Sequence, residues 1–305
     1  MIIMELLEWG NTKLKRHHDI DAFTGERLDS PILDSEILLA HALKQPKHYL
    51  FAHLNDTVPI DKADTFRDYI KRRLKHEPVA YIIGRKAFYG RDFFVNQYVL
   101  VPRPETETLV EAAISISKEQ KGETWFIDIG IGSGTIGVTL AAETKLPVIA
   151  TDISARVISV AKKNAETHGV SDLVDFHKGN AFEPVAKLFT KVEIQKNFPD
   201  NLIICANLPY LKTRQWEEAQ IEVSQWEPKE ALEAGADGLD DYWTLFRQLA
   251  QTKDQLAKNT YVLIEIDPSQ TDPIYHLIKH CFPQAELIIK KDLNGQQRVV
   301  IAKLL

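Results

Sequence analysis

Two stretches of this 305-residue chain hold residue types whose spacing could do chemistry. One is Cys205-Ala206-Asn207-Leu208-Pro209-Tyr210, at the end of an apolar run. A planar –NH2 group needs acceptors for two hydrogens and a flat surface against its plane. Asn207 offers a side-chain oxygen, Leu208 a backbone carbonyl and Tyr210 an aromatic face. Pro209 stiffens the turn and helps aim the Leu208 carbonyl. The other stretch runs from Trp125 to Gly137, where Asp128 is followed by Gly130, Gly132 and Gly134. Glycines let the backbone turn sharply and approach a ligand without a Cβ in the way. A helix starting there points bare N–H groups at the same place. Asp152 ends the next apolar run, placed to accept hydrogen bonds from ribose hydroxyls. The loop therefore points to an adenosine cofactor, and by itself no further.

These residues need elements to hold them. After Gly122 the pattern alternates strand and helix, with strands near 125–129, 147–151, 173–178, 201–206, 260–266, 285–290 and 297–303 and helices starting near Gly134, Ser154, Leu239 and Ser269. Continuous apolar strands such as Leu202-Ile203-Ile204-Cys205-Ala206 predict a mostly parallel sheet covered on both faces, an α/β fold. The last strand follows Asn294-Gly295 too closely for a crossover and must pair antiparallel with its predecessor. Ligands of such sheets bind at the carboxyl ends of the strands, where both stretches fall. The first 80 or so residues read as helices: one carrying Ile2, Ile3, Leu6, Leu7 and Leu14, one opened by Ser30-Pro31, and one from about Asp61 to His76 with Phe66, Ile70 and Leu74 inward, closed by Glu77-Pro78. Between the two regions, Phe88–Val95 and Tyr98–Val101 read as a hairpin turning at Asn96-Gln97, and Thr106 as the N-cap of the next helix. The expected organisation is a helical domain at 1–84, a β-hairpin linker at 85–104 and a catalytic domain at 105–305.

Gly132-Ser133-Gly134-Thr135-Ile136-Gly137 matches the G-x-G-x-x-G dinucleotide pattern, with Asp152 the expected 20 residues on. A nicotinamide dehydrogenase is thus a competitor, although the Asn207 segment lacks the His or Arg it would want over a carbonyl. The broader string Asp128-x-Gly130-x-Gly132-x-Gly134 resembles instead the first motif of S-adenosylmethionine methyltransferases. Nearly the whole chain resembles the PrmC/HemK-type methyltransferases, which modify the glutamine side chain of peptide chain release factors. The resemblance is carried by Glu77-Pro78-Val79-Ala80-Tyr81-Ile82-Ile83-Gly84, by Val101-Pro102-Arg103-Pro104-Glu105-Thr106-Glu107, and by the glycine loop, Asp152 and Asn207–Tyr210. Glu227-Pro228-Lys229-Glu230-Ala231-Leu232, Gly235–Leu239 and Asp292–Arg298 extend it. It implies a seven-stranded Rossmann-like sheet, a helical N-terminal domain that helps grip the release factor, S-adenosylmethionine as cofactor and the glutamine of a Gly-Gly-Gln loop as substrate. It also implies that Asn207, Leu208, Pro209 and Tyr210 bind and position that glutamine. Cofactor contacts are implied for Asp128, Gly130, Ile131, Gly132, Ser133, Gly134, Asp152, Asn180, Ala181, Phe182 and Asn207. Two residues depart from the family pattern: Leu208 stands where Pro is usual and Asn180 where Asp is usual, both keeping an acceptor oxygen. Asn-Leu-Pro-Tyr also resembles the motif of adenine dimethyltransferases acting on ribosomal RNA, so methylation of an adenine amino group in RNA or DNA is the alternative activity. A non-catalytic S-adenosylmethionine-binding protein is the alternative outside enzymes.

Composition narrows the field. With 37 basic and 43 acidic residues the net charge is −6, against a protein that coats nucleic acid. The basic run Lys71–His76 reads as a solvated helix face or a docking surface. No apolar run spans a membrane, Glu5 and Glu8 sit where a signal peptide would be basic, and two cysteines build neither a disulfide framework nor a zinc site. The six histidines at 17, 18, 41, 48, 53 and 76 read as surface or packing residues, with no metal site. The expectation is a cytoplasmic, monomeric enzyme whose partner is a protein, with no nucleic acid required. Cys205 reads as a buried small hydrophobe, Cys281 as inert at a helix end, and Glu265 either as a site residue or as a loop anchor. Trp216 and Trp226 read as lining the substrate entrance or packing it shut.

Overall fold

The computed structural model describes residues 1–20 and 30–304. The side chains of His17 and His18 lie outside the described residues. The chain forms two compact units: Met1–Arg85 with Ala219–Glu227, and Lys86–Glu218 with Pro228–Leu305.

The first unit is helical, with helices at Ile3–Ile20, Pro31–Leu43, Lys47–Ala52, Ile60–Arg73 and Val79–Ile83, and Ile221–Trp226 from the second segment. Its core is built from the expected stripes, Leu6 and Leu14, Leu38 and Leu39, Phe66 and Ile70, all fully buried. Gly10 permits a close approach among these helices, since a Cβ there would lie 2.7 Å from the Phe66 ring and 2.5 Å from Ser35 Oγ. Pro31 opens its helix at the first position as read, but Ser30 makes no side-chain cap. The Lys71–His76 run is not a uniformly solvated face. Arg73 is buried, pairing with Asp34 at 2.7 Å and Glu222 at 2.7 Å, and Arg72 pairs with Glu77. A guanidinium can leave water there because two carboxylates and the Glu77 carbonyl take its protons.

The second unit opens on a two-stranded sheet, β1 (Arg85–Phe88) and β2 (Arg91–Phe94). The hairpin turns at Tyr89-Gly90 rather than at Asn96-Gln97. Both turn residues have positive φ, 49° and 71°, the tight two-residue geometry that matches strand twist. The run 98–101 forms no strand. The main sheet comprises β3 (Thr124–Ile129), β4 (Val148–Asp152), β5 (Val174–Lys178), β6 (Asn201–Ala206), β7 (Asn259–Glu265), β8 (Glu286–Lys291) and β9 (Gln297–Leu304), each within a residue of its expected bounds. Its order is β5-β4-β3-β6-β7-β9-β8. β5, β4, β3, β6 and β7 are parallel, and β9 runs antiparallel between β7 and β8. Alternate residues of β3 face opposite cores. Ile127 and Ile129 pack with Leu202, Ile204, Tyr242 and Phe246, and Phe126 packs with Ile203, Cys205, Ile136 and Val138. From β3 the chain moves outward through β4 and β5, then returns to β6 on the other side. The ends of β3 and β6 are therefore the point where strand order reverses, where such sheets open a crevice. In register, Asp128 lies beside Cys205 and Ile129 beside Ala206, which brings the glycine loop and Asn207 to one place.

Candidate active site

Beyond β3 the backbone turns through Gly130, Gly132 and Gly134 at φ 73°, 54° and 89°, values open to glycine at little cost. The loop is pinned from below. The Gly130 and Ile131 amides both donate to the Thr151 carbonyl at 2.9 Å, and Asn164 donates to the Ser133 carbonyl at 2.7 Å. Asp128 lies underneath rather than on the surface, fully buried, accepting from the Gly137 amide at 2.6 Å. A Cβ on Gly137 would come within 2.8 Å of that carboxylate, so the third glycine of the dinucleotide pattern serves here to let Asp128 brace the helix start. Burial pushes the Asp128 carboxyl up to about 7.

A cavity of about 540 Å3 opens over the loop, within the roughly 300–1,000 Å3 usual for small-molecule sites. Gly130, Ile131, Gly132, Ser133, Asp152, Asn180, Ala181, Asn207, Leu208 and Pro209 all line it. Asp128, Gly134, Phe182 and Tyr210 stand behind that wall. Phe182 is packed into the core against Phe189, and the Tyr210 carbonyl accepts from Gln270 at 2.9 Å, with burial pushing its phenol pKa upward. Tyr98, with the Arg156 guanidinium 5.1 Å over its ring, adds a flat surface. Trp216 and Trp226 are not on the wall. Lys229 lies over Trp216, and the Trp226 indole donates to the Lys75 carbonyl at 2.9 Å.

The donor set fits a nucleoside-bearing cofactor. Asp152 accepts from the Ser154 amide at 2.9 Å and more distantly from Gly132 at 3.4 Å, which leaves lone pairs for hydroxyl donors. A Cβ on Gly132 would meet only the Gly130 carbonyl, at 3.9 Å, so only glycine leaves that part of the cradle open. Ala181 sits at φ 48° with its carbonyl accepting from Thr151 Oγ1 at 3.0 Å, which fixes the turn that presents Asn180.

At the end of β6, Asn207 Nδ2 donates to Thr106 Oγ1 at 3.1 Å, and the amide oxygen is left to accept. The Tyr242 hydroxyl lies 3.4 Å from the Leu208 carbonyl but gives its single proton to the much closer Glu265 carbonyl. The Leu208 carbonyl thus keeps its accepting capacity. Thr106 does stand at the N-cap of the Glu107–Glu119 helix, but its side chain caps nothing; it turns to Asn207 and to Glu265, which is fully buried. Sequence reading misses this partner of Asn207, as it misses Asn164, because no local spacing connects residues 101 and 31 positions apart.

The chain matches the PrmC N-terminal domain over residues 5–84 and a methyltransferase domain over residues 120–219. It is 32% identical over its whole length to the release factor glutamine methyltransferase of Bacillus anthracis, all of which is covered. The enzyme of the same description from Bacillus subtilis is 35% identical over 88% of this chain and 90% of its own, and that of Rhodopirellula baltica 32% over 98% and 95%. The chain belongs to the PrmC family of release factor glutamine methyltransferases. Family membership makes it a methyltransferase and sets aside the dehydrogenase reading of the glycine loop. Among solved structures, the hMettl16 catalytic domain in complex with MAT2A 3'UTR hairpin 6 matches with a TM-score of 0.52 and 14% identity, over 70% of this chain and 75% of that one. That likeness is one of fold: the methyltransferase sheet.

Proposed function

We propose that this enzyme methylates the side-chain amide nitrogen of the glutamine in the Gly-Gly-Gln loop of peptide chain release factors, with S-adenosylmethionine as donor. One observation carries the reading. Asn207 and Leu208 stand at the end of β6 and line the cavity floored by the glycine loop, and each keeps an oxygen with accepting capacity, Asn207 Oδ1 and the Leu208 carbonyl. A primary carboxamide has two N–H bonds to give them. When bound, the donor supplies an electrophilic methyl group on a positively charged sulfur. Asp152 suits the ribose hydroxyls, Asn180 the adenine amino group, and the Gly130–Gly134 amides and carbonyls the remainder. Asn207 and Leu208 hold the amide nitrogen by both hydrogens, so that its lone pair faces the methyl group. With the donor bound there, methyl transfer to this nitrogen would release the neutral thioether S-adenosylhomocysteine, and the proton displaced from the nitrogen would pass to water. Alignment rather than prior deprotonation carries the rate. Leu208 contributes only its carbonyl, so it can stand where proline is usual.

Under this reading the helical unit contributes to holding the release factor, and the enzyme works in the cytoplasm as a monomer. Among the described residues no helix is long and apolar enough to cross a membrane, and no group of side chains is disposed to hold a metal ion. The test is transfer of labelled methyl to a release factor, to its glutamine-to-alanine variant, and to RNA and DNA. Incorporation into the first substrate alone is expected, and Asn207→Ala should cost about 100-fold in kcat while S-adenosylhomocysteine still binds. Methylation of nucleic acid with the release factor untouched, or tight cofactor binding with no transfer to any substrate, overturns the proposal.

A further inference from the structure

An asparagine amide can face either way round, and only one way presents an acceptor to an –NH2 group. Something must therefore decide which end of Asn207 looks into the cavity. Its Nδ2 lies 3.1 Å from Thr106 Oγ1, and the Thr106 hydroxyl donates to the Glu265 carboxylate. Glu265 ends β7, the strand beside β6, with Ala206 in register with Ile264. It is 1% exposed, and its Oε2 has no hydrogen-bond partner. A hydroxyl has one proton. Once Thr106 gives it to an ionised carboxylate, which can only accept, the Thr106 oxygen can only accept from Asn207. The –NH2 end of the amide must then face Thr106, and Oδ1 must face the cavity. We propose that Glu265 and Thr106 are positioning residues that fix the orientation of the Asn207 amide and so make it an acceptor for the substrate nitrogen. The inference rests on the function proposed above.

The relay has a polarity that protonation can reverse. A protonated Glu265 can donate to Thr106, which is then free to donate to Asn207 Oδ1, turning a donor toward the substrate's own N–H bonds. Burial holds Glu265 up to about 7, opposed by the Thr106 hydrogen bond. The charged and titratable groups facing it are Arg298 from β9, Arg103 and Glu105 ahead of the Glu107–Glu119 helix, Tyr210 beyond β6, and Tyr242 from the helix Asp240–Gln251. Arg298 is itself held by Asp292 at 3.1 Å. Both arginines favour the ionised form, and Glu105 opposes it.

The experiment compares wild type, Thr106→Val, Thr106→Ser and Glu265→Gln in steady-state methyl transfer to a release factor from about pH 6 to about pH 9. S-adenosylhomocysteine affinity is measured alongside by calorimetry. Wild-type kcat should fall on the acid side of about 7. Thr106→Val should lose at least about tenfold in kcat across the range, with cofactor affinity retained, and Thr106→Ser should recover most of the loss. Glu265→Gln should be slower and lack the acid limb. A Thr106→Val variant within about twofold of wild-type kcat, or a Glu265→Gln variant that keeps the wild-type acid limb, overturns the inference. Should Thr106→Val fail to fold, the limb in Glu265→Gln decides alone. A wild type that methylates no release factor overturns the proposed function instead, so the two failures are distinct.

Discussion

Asp128 is a carboxylate in a place that penalises charge. Burial pushes it up to about 7, Asp152 adds to the rise, and the Gly137 amide opposes it. In the unfolded chain it ionises near 3.9. As pH rises from about 4 to about 7, the unfolded state gives up this proton while the folded state keeps it, so stability falls over that window by roughly 4 kcal/mol. Asp128→Asn cannot ionise. Its unfolding free energy, from urea titrations at a series of pH values, should show a correspondingly shallower decline between about pH 4 and about pH 7. Glu265 titrates in the same sense and leaves a residual slope in both proteins. Against the cost of burying Asp128 stands one backbone hydrogen bond, from the Gly137 amide, which ties β3 to the first turn of the helix Thr135–Thr144.

Between elements, single polar side chains join segments far apart in the chain. Asn164, fully buried in the helix Ala155–Thr167, accepts from the Phe94 amide at 2.8 Å, donates to the Phe94 carbonyl at 2.9 Å and donates to the Ser133 carbonyl at 2.7 Å. It ties β2 to the loop that floors the cavity. Asn164→Ala would take the partner from three backbone groups, the buried Ser133 carbonyl and the half-buried amide and carbonyl of Phe94, at about 1–3 kcal/mol for each left unsatisfied. The expected outcome is a loss of about 3 kcal/mol or more in urea unfolding, together with weaker S-adenosylhomocysteine binding as the loop loosens. Arg73 has the equivalent place in the helical unit. Arg73→Ala removes a buried guanidinium that pairs with Asp34 and Glu222 and donates to the Glu77 carbonyl, and should cost about 3–5 kcal/mol. Arg73→Lys should recover only part, because one ammonium cannot reproduce the forked contacts to Asp34, Glu222 and the Glu77 carbonyl.

For the molecule as a whole, ligand binding and folding are linked. A ligand that occupies the folded α/β unit and not the unfolded chain stabilises by about 2.7 kcal/mol at 100 times its Kd. S-adenosylhomocysteine should therefore raise the melting temperature in a concentration-dependent way, read by scanning calorimetry, and NAD(H) should leave it unchanged. A net charge of −6 gives the molecule as a whole no attraction for a phosphate backbone, in keeping with a protein substrate. Segment 219–227 of the chain belongs to the helical unit although it comes from the middle of the α/β sequence. Substitutions there, Glu222 included, act on the fold of the first unit.

The amino-acid sequence determined by itself whatever depends on neighbours along the chain. Apolar runs of the right length placed the seven strands of the main sheet, and the Asn294-Gly295 turn set the antiparallel last strand. Glycine spacing located the loop that floors the cavity, and Asn207–Pro209 could be read onto the same cavity wall because strand ends are where α/β sheets open. Only the tertiary structure decided what depends on residues brought together from a distance. It set Asp128 and Tyr210 behind the cavity wall, moved the hairpin turn to Tyr89-Gly90, and took Arg73 out of water. It also joined Asn207 to Thr106, 101 residues away, and through it to Glu265. The physical reason is that periodicity records which face of an element is buried, whereas hydrogen-bond polarity and desolvation depend on the atom that arrives opposite, and no window along the chain contains it.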